Sequence, residues 1–105
     1  MYRRPDIVTM PACYAYIILC KNGSYYTGST RIIKLRYSQH VDGTGANHTR
    51  KYGVEKLAYL EEFTRIDHAF QREHQIKRWS RAKKEALINS NIDELKRLSK
   101  KVFGG

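Results

Sequence analysis

The stretch "CYAYIILCKNGSYYTGST", residues 13–30, decides the fold, because two runs suited to β-strands surround an Asn-Gly pair. Aromatic and β-branched residues favour strands, and Asn-Gly between two such runs is a strong signal for a β-hairpin. The stretch holds four of the chain's eight tyrosines. The functional question is whether these rings only fill a core or also direct hydroxyl groups at a substrate.

The length of the turn decides which tyrosines share a face of the hairpin. In a two-residue turn, Tyr16 and Tyr26 would lie on opposite faces. In a three-residue loop closed by a left-handed Gly23, the two rings share a face and Tyr16 lies opposite Gly28. A glycine opposite an aromatic ring leaves room for a ligand or another backbone, although it also commonly ends or bends a strand.

The rest of the chain predicts one more strand and four helices. The third strand covers residues 55–63, with alternate residues from Leu57 to Phe63 on one face, and residues 42–53 form a basic, glycine-punctuated loop. The order β-β-α-β-α-α-α indicates an α+β domain with a small three-stranded antiparallel sheet, hairpin first, flanked by helices. The helices are predicted at residues 31–41, 64–79, 81–89 and 92–102.

Three of these helices carry capping signals at their beginnings. Thr64 and Asp67 stand at the spacing of a capping box. Ser80 precedes the next helix as a candidate N-cap. Asn91 with Glu94 resembles a further capping pair.

The chain length of 105 residues predicts one small domain with a modest core. Residues 1–11 are expected to be a disordered lead in which Met10 is an alternative start. Residues 12–90 form the domain, and residues 91–105 add a basic helix and tail packed on it. The lead lacks the apolar core of a secretory signal, and the chain lacks the run of about 20 apolar residues that a membrane span needs.

Two further bulk properties bear on function. Lys and Arg number 20 against 10 Asp and Glu, so the net charge of +10 attracts polyanions, of which nucleic acid is the first candidate. A merely solvated basic surface is the alternative, and the spread of the charge argues against membrane binding. Cys13 and Cys20 lie seven residues apart on one strand, point to opposite faces and cannot easily bridge, which favours a reduced, cytoplasmic protein.

The first predicted helix carries charged residues where a core-facing stripe is expected. Arg36 and His40 are one turn apart, so a guanidinium and an imidazole would project together toward the sheet and grip a phosphate. In the alternative, Ile32 and Leu35 define the buried face and Arg36 is solvated.

The longest helix has a carboxylate in the middle of its apolar stripe. Glu73 must be paired, hydrogen-bonded or bound to a cation if it is buried, because burying a lone charge is very costly. Its helical neighbours Arg72, Lys77 and Arg78 are expected to point elsewhere. The alternative is a Glu at the wet margin of the stripe or in a salt bridge. The stripe comprises Ile66, Ala69, Phe70 and Ile76.

With these residues in view, the chain resembles a GIY-YIG nuclease domain over about residues 13–88, closest to the small, single-domain bacterial branch. The two tripeptides of that name correspond to "YAY" (14–16) and "YTG" (26–28). In that family an Arg follows the second glycine by eight residues and a His follows four later. A metal-binding Glu lies on a later helix. These positions are Arg36, His40 and, within "REHQIKRWSRAKKEALI", Glu73.

The sequence departs from the family pattern in two ways. Tyr14, Ala15 and Thr27 replace Gly, Ile and Ile in the tripeptides, which changes strand packing more than chemistry. Many family members also carry an Asn about a dozen residues after the metal Glu. Here that position is near Glu85, and Asn89 is out of register by about a helical turn.

The resemblance implies a metal-dependent endonuclease that hydrolyses phosphodiester bonds in DNA. Glu73 would hold one divalent cation, Mg²⁺ or Mn²⁺, and Arg36 the non-bridging oxygens. Tyr16 is the candidate general base, if cations lower the pKa of its phenol, with Tyr26 and His40 orienting the water or sharing the proton.

The remaining tyrosines of the hairpin have no assigned chemistry. Tyr25 points away from the candidate site and is expected to pack, and the role of Tyr14 stays open.

Backbone contacts to nucleic acid would come from basic residues, namely His48, Arg50, Lys51, Lys77, Arg78, Arg81, Lys83 and Lys84.

No base-reading element is evident in the sequence, so a preference for branches, flaps or nicks is expected over a sequence motif. Two rival interpretations are a nucleic-acid-binding module without catalysis and an interaction protein that meets an acidic partner or ribosomal RNA. The sequence leaves open DNA against RNA, the pathway and the oligomeric state.

Overall fold

A computed structural model describes residues 12–103, so the expected disordered lead at 1–11 lies outside the described residues. Three strands form one antiparallel sheet in the order β2-β1-β3 with helices around it, and the predicted α+β fold is confirmed. Within residues 12–103, every helix is too short or too polar to cross a membrane. The elements are β1 Cys13–Cys20, β2 Tyr25–Thr30, α1 Ile33–Asp42, α2 Asn47–Tyr52, β3 Val54–Phe63, α3 Ile66–Lys77, α4 Arg81–Ser90 and α5 Ile92–Phe103.

The hairpin turns through a three-residue loop, as the second of the two registers predicts. Gly23 has φ +88° and donates its N–H to the Cys20 carbonyl at 2.9 Å, while the Cys20 N–H donates to the Ser24 carbonyl at 2.8 Å. Tyr16 therefore pairs with Gly28, and the rings of Tyr16 and Tyr26 share a face of the sheet.

Both faces of the sheet are covered by helices. The first face, which carries Tyr16, packs against Ile33 of α1 and Leu98 of α5. The second face, which carries Ile17, packs against Ile76 of α3 and the partly buried residues of α4. The first cluster comprises Tyr14, Tyr16, Ile18, Cys20, Ile33, Leu60 and Leu98, so Tyr14 is a core residue.

The register of β3 differs from simple alternation. Ile17 pairs with Tyr59 and Ile18 with Leu57, so one residue of β3 is left over as a bulge. A bulge inverts the alternation of the side chains beyond it. The prediction that Leu57 and Tyr59 share a face is therefore wrong, since Leu57 packs on the first face and Tyr59 on the second.

The segment predicted as a basic loop contains a short helix, α2. Gly43 at φ +86° ends α1, and Gly53 at φ +75° ends α2, so both glycines act as helix stops around a helical turn. Thr49 in α2 is buried against the rest of the domain. Glycine punctuation identified the boundaries correctly but not the helix between them.

Of the predicted helix caps, Ser80 is confirmed, because its side chain accepts the Lys83 N–H. The cap at Thr64 is wrong: α3 begins after Arg65 without a side-chain cap. Asp67 instead accepts two hydrogen bonds from the Arg65 guanidinium, at 2.9 and 2.8 Å. A charged partner two residues away outcompetes the capping geometry at this position.

The contact between Tyr16 and the bare backbone at Gly28 yields a stability prediction. A Cβ added at Gly28 would lie 2.5 Å from the Tyr16 hydroxyl oxygen and 2.6 Å from its ring carbon. We expect Gly28→Ala to lower the free energy of unfolding by about 1–3 kcal/mol, as overpacking does, in urea denaturation. In a Tyr16→Leu background the same change should cost less, because the clashing atoms are gone. Equal costs in both backgrounds would contradict the proposed contact.

Candidate active site

Two phenol rings form the centre of the site on the first face. The ring centroids of Tyr16 and Tyr26 lie 6.4 Å apart. Tyr16 is 1% exposed, whereas Tyr26 is half-buried. The absent side chain of Gly28 makes room for the Tyr16 hydroxyl itself, which answers the question of what the glycine accommodates.

The Tyr16 hydroxyl is held by an imidazole on α1. Tyr16 Oη lies 2.8 Å from His40 Nε2, and His40 Nδ1 lies 2.7 Å from Thr49 Oγ1. The Thr49 hydroxyl donates its single proton to the Ala46 carbonyl at 3.1 Å, so it accepts from His40 Nδ1–H. His40 Nε2 is then the unprotonated nitrogen, and it accepts the phenol proton of Tyr16. The site thus has a hydrogen-bond chain of defined direction.

His40 is neutral in this environment. Burial first, and then the nearby Arg36 guanidinium, lower the pKa of His40 from 6.5 to about 4. A Cβ at Gly45 would lie only 2.8 Å from His40 Nδ1, so the loop backbone closes tightly over the ring. The imidazole is therefore a fixed proton acceptor at neutral pH rather than a cation.

Arg36 interacts with both phenols. Burial lowers the pKa of Arg36, but the hydroxyls of Tyr16 and Tyr26 outweigh it and the pKa is raised. The alternative in which Ile32 and Leu35 form the buried face is wrong, since they are 58% and 52% exposed. Ile33 and His40 face the core instead, which turns Arg36 toward the tyrosines.

The phenol of Tyr16 is not acidified. Burial, and then Tyr26, raise the pKa of Tyr16 well above its ordinary value, and the opposing effect of Arg36 is smaller. The expected lowering of this pKa by neighbouring cations is therefore not found for the cations present, because desolvation outweighs a single guanidinium.

Glu73 lies buried on α3, which packs against the second face of the sheet. Ser29 Oγ donates to Glu73 Oε1 at 2.5 Å, and Lys77 Nζ lies 2.6 Å from Oε2. The prediction that Lys77 and Arg72 point elsewhere is wrong for Lys77, because a spacing of four residues places it beside Glu73. Arg72 binds Glu61 at 2.9 Å.

The two parts of the site flank the edge strand β2. Gly28 lies beneath the Tyr16 ring, and the next residue, Ser29, donates a hydrogen bond to Glu73. Consecutive residues of a strand face opposite sides of the sheet. Tyr16, Tyr26, Arg36 and His40 are thus brought together, and Glu73 lies across the strand from them. The negative charge of Glu73 still contributes to the raised pKa of Tyr16, after burial and Tyr26, so the two parts interact electrostatically.

The donor set around Glu73 fits a hard divalent cation better than zinc. Within residues 12–103, no group of three or more His, Cys, Asp and Glu side chains is placed to hold a metal. One carboxylate and one hydroxyl leave most coordination positions to water and substrate oxygens, as Mg²⁺ and Mn²⁺ prefer. Thr27, on the same face of β2 as Ser29, has a buried hydroxyl that finds no hydrogen-bond partner among residues 12–103.

The predicted nucleic-acid contacts divide into exposed and engaged side chains. His48 faces inward, with its Nε2 2.8 Å from Ser24 Oγ and its ring between Tyr26 and Tyr52. Arg81 is tied to the Gly23 carbonyl and to Glu85, and Lys83 lies over the Trp79 ring. Arg50 and Lys51 of α2, and Arg78 just after α3, are exposed. Lys77 is exposed too, but its ammonium is paired with Glu73.

A family-model comparison matches the GIY-YIG catalytic domain to residues 12–86. The chain belongs to the GIY-YIG family. This is a nuclease family whose members generally use a divalent metal.

Several relatives share most of their length with this GIY-YIG chain. A UPF0213 protein of Halobacterium salinarum is 42% identical over 75 residues, 71% of this chain and 97% of the relative. One of Clostridium perfringens is 43% identical over 77 residues, 73% of this chain and 83% of the relative. The solution NMR structure of the UPF0213 protein BH0048 from Bacillus halodurans is 38% identical, covers 74% of this chain and 83% of that one, and gives a TM-score of 0.49.

Sequence reasoning missed two hydroxyl residues of this GIY-YIG site. Ser29 follows Gly28 on a strand, so alternation alone places it opposite the tyrosines, where Glu73 lies; this signal was available. Thr49 had no signal, since its role depends on a helix hidden in the predicted loop.

The buried, neutral His40 predicts a pH dependence of stability. Its pKa in the folded state is about 4, below the ordinary 6.5, so the unfolded chain binds the proton more readily. The free energy of unfolding should therefore fall as the pH drops from about 6.5 toward 4, by on the order of 3 kcal/mol at most. Chemical denaturation across this range measures the effect. His40→Gln should flatten the dependence of the unfolding free energy on pH, whereas the control His68→Gln, at an exposed position, should not. An unchanged pH dependence in His40→Gln would contradict a buried, neutral His40.

Proposed function

We propose that this protein is a metal-dependent endonuclease that hydrolyses phosphodiester bonds in DNA, selecting substrate structure such as branches, flaps or nicks rather than sequence. The single observation that carries the proposal is the directed chain from the Tyr16 hydroxyl to a neutral His40 Nε2, with Arg36 beside both phenols. A structural core needs neither a fixed imidazole acceptor nor a guanidinium between two tyrosines. Two buried cysteines without a disulfide suit a reducing compartment, so we place the protein in the cytoplasm.

In this proposal the guanidinium of Arg36 binds the non-bridging oxygens of the scissile phosphate. Arg suits this role because its planar fork matches two oxygens at once and never loses its charge. The half-buried Tyr26 orients the attacking water. Glu73 would hold a divalent cation, which would supply positive charge for the pentacoordinate phosphorus and the leaving 3′ oxygen.

The proton of the attacking water passes to Tyr16 as Tyr16 passes its own proton to His40 Nε2. In the free protein both pKa shifts oppose this transfer, since the pKa of Tyr16 is raised and that of His40 is lowered to about 4. A phosphodiester bound at Arg36 offsets the guanidinium that helps lower the pKa of His40. The chain therefore becomes a better proton acceptor only when substrate is bound.

The main test is cleavage of labelled duplex, nicked and branched DNA with Mg²⁺, Mn²⁺ or EDTA. We expect cutting that EDTA abolishes and that Glu73→Gln removes. Tyr16→Phe should reduce the rate by about 10²–10⁴-fold, because the proton chain to His40 is broken. RNA of matched structure tests the choice of nucleic acid.

The comparison with Tyr26→Phe makes the assignment of the general base falsifiable. Tyr16 is 1% exposed, so a water must reach its hydroxyl past the more exposed Tyr26. If Tyr16→Phe kept the wild-type rate while Tyr26→Phe lost it, the roles of the two phenols would be exchanged. Cutting that survives Glu73→Gln would contradict the metal assignment.

A nucleic-acid-binding module without catalysis is the second candidate, and two observations favour it. The Glu73 carboxylate already has Lys77 as a counter-ion, and Glu85, near the position where many family members have Asn, is engaged by Tyr25 and Arg81. Salt-sensitive binding without metal-dependent turnover of DNA or RNA would single out this function.

The exposed basic side chains of α2 predict a specific salt dependence. Arg50 and Lys51 follow His48, whose ring lies 6.1 Å from that of Tyr26 on β2, so we expect them at the β2 edge of the sheet beside the site. Each phosphate contact contributes about 0.9 to the slope of log affinity against log salt for duplex DNA. The double variant Arg50→Gln, Lys51→Gln should lower that slope by up to about 2 in fluorescence anisotropy.

The matched control removes two exposed charges from α5, which packs near β3 at the other edge of the sheet. We expect Lys96→Gln, Lys100→Gln to leave the slope nearly unchanged. An equal decrease of the salt-dependence slope in the two double variants would mean that the nucleic acid does not bind preferentially at the β2 edge.

A further inference from the structure

The ion pair between Glu73 and Lys77 joins a buried anion to an exposed cation. The side chain of Glu73 is 10% exposed and that of Lys77 is 46% exposed, with Nζ 2.6 Å from Oε2. In four other ion pairs the two partners differ far less in exposure, namely Arg65–Asp67, Arg72–Glu61, Arg81–Glu85 and Arg97–Glu94. One partner of this pair is fixed by the fold and the other is free to leave.

The fixed partner requires a positive charge. A buried carboxylate without compensation is very costly, and the Ser29 hydroxyl satisfies only one of the two oxygens of Glu73. Lys77 meets the requirement through a flexible, mostly solvated stem that extends along one turn of α3. An ammonium group at this position does for the carboxylate what a metal ion would do.

A divalent cation and this ammonium compete for the same carboxylate, because Oε1 already accepts from Ser29 and Oε2 is paired with Lys77. Mg²⁺ binds oxygen at about 2.0–2.1 Å, which would place it within a few ångströms of an ammonium that itself lies 2.6 Å from Oε2. Two like charges at that separation repel strongly in a partly buried site. This repulsion favours binding of the metal with Lys77 moved away.

We propose that Lys77 is the resident counter-ion of Glu73 in the metal-free protein and that a divalent cation binds Glu73 only by displacing it. The inference rests on the proposed function, because it takes Glu73 as the metal carboxylate. Its consequence is that the free protein binds divalent cations weakly. The displaced ammonium, on the face of α3 beside the site, then becomes available to a phosphate of the substrate.

The test measures Mn²⁺ binding to the metal-free protein, without nucleic acid, by the electron paramagnetic resonance signal of free Mn²⁺. Lys77→Met keeps the length of the stem and a high helix propensity but removes the charge. We expect Lys77→Met to bind Mn²⁺ at least about 10-fold more tightly than wild type, which corresponds to about 1.4 kcal/mol. Lys34→Met, at an exposed position of α1, makes the same change in net charge and should alter the affinity little.

Two outcomes would overturn the inference. One is an Mn²⁺ affinity of Lys77→Met no higher than that of Lys34→Met. The other is a gain that persists when Glu73→Gln is added, since the effect must act through that carboxylate. Circular dichroism checks that each variant is folded. Lys77→Gln, which also removes the charge, is measured in the same way as a second variant.

A measurement on the wild-type protein gives an independent readout. The Lys77 ammonium should show a protected ¹⁵N–¹H signal in the metal-free protein, identified by its loss in Lys77→Met, and Mg²⁺ should abolish it. A signal unchanged at saturating Mg²⁺ would contradict displacement. No step here uses nucleic acid, so a wild type that cuts nothing would refute the proposed nuclease and leave this result standing, and the reverse also holds.

Discussion

The arrangement of the site depends on one contact, the Tyr16 ring lying over the bare backbone of Gly28. Any side chain at Gly28 would overlap the phenol, and the phenol must lie there for its hydroxyl to reach His40. That hydrogen bond, with Thr49 on the far side of the imidazole, fixes α1 and α2 relative to the sheet. The hairpin register is therefore a functional constraint, because a shift of one residue would turn the ring to the other face.

Electrostatics sets the protonation states of the buried phenol and imidazole in the free protein. Desolvation dominates for each buried group, so the pKa of Tyr16 is raised and the pKa of His40 is lowered to about 4. Arg36 acts against the first shift and adds to the second, and it is too weak to make Tyr16 a phenolate. The first face therefore holds two neutral hydrogen-bonded groups, Tyr16 and His40, beside the positive charge of Arg36.

The sequence predicts this site well where it depends on strand periodicity and helix spacing, and poorly where it depends on tertiary contacts. Local geometry limits the hairpin to two registers and α1 to two faces, and the structure has the register in which Tyr16 and Tyr26 share a face and the helix face that carries His40. The β3 bulge and helix α2 do not follow from local geometry, because both arise from packing that local patterns do not contain. The Glu73–Lys77 ion pair is only partly predictable. The spacing of four residues is visible in the sequence, but the burial of the Glu73 side chain, which makes a counter-ion necessary, is not.

The Glu at position 85 has a self-contained structural explanation. Glu85 accepts a hydrogen bond from Tyr25 at 3.2 Å, and Arg81, one turn earlier on α4, binds it at 3.1 Å and lies over the Tyr25 ring. A carboxylate in place of a neutral amide adds one negative charge, and Arg81 compensates that charge locally. Since Tyr25 belongs to the second face of the sheet, this cluster fastens α4 to the hairpin. The replacement of Asn by Glu85 thus alters packing on the opposite face of β2 from Arg36 and His40. The hydrogen bond between Tyr16 and His40 is unchanged.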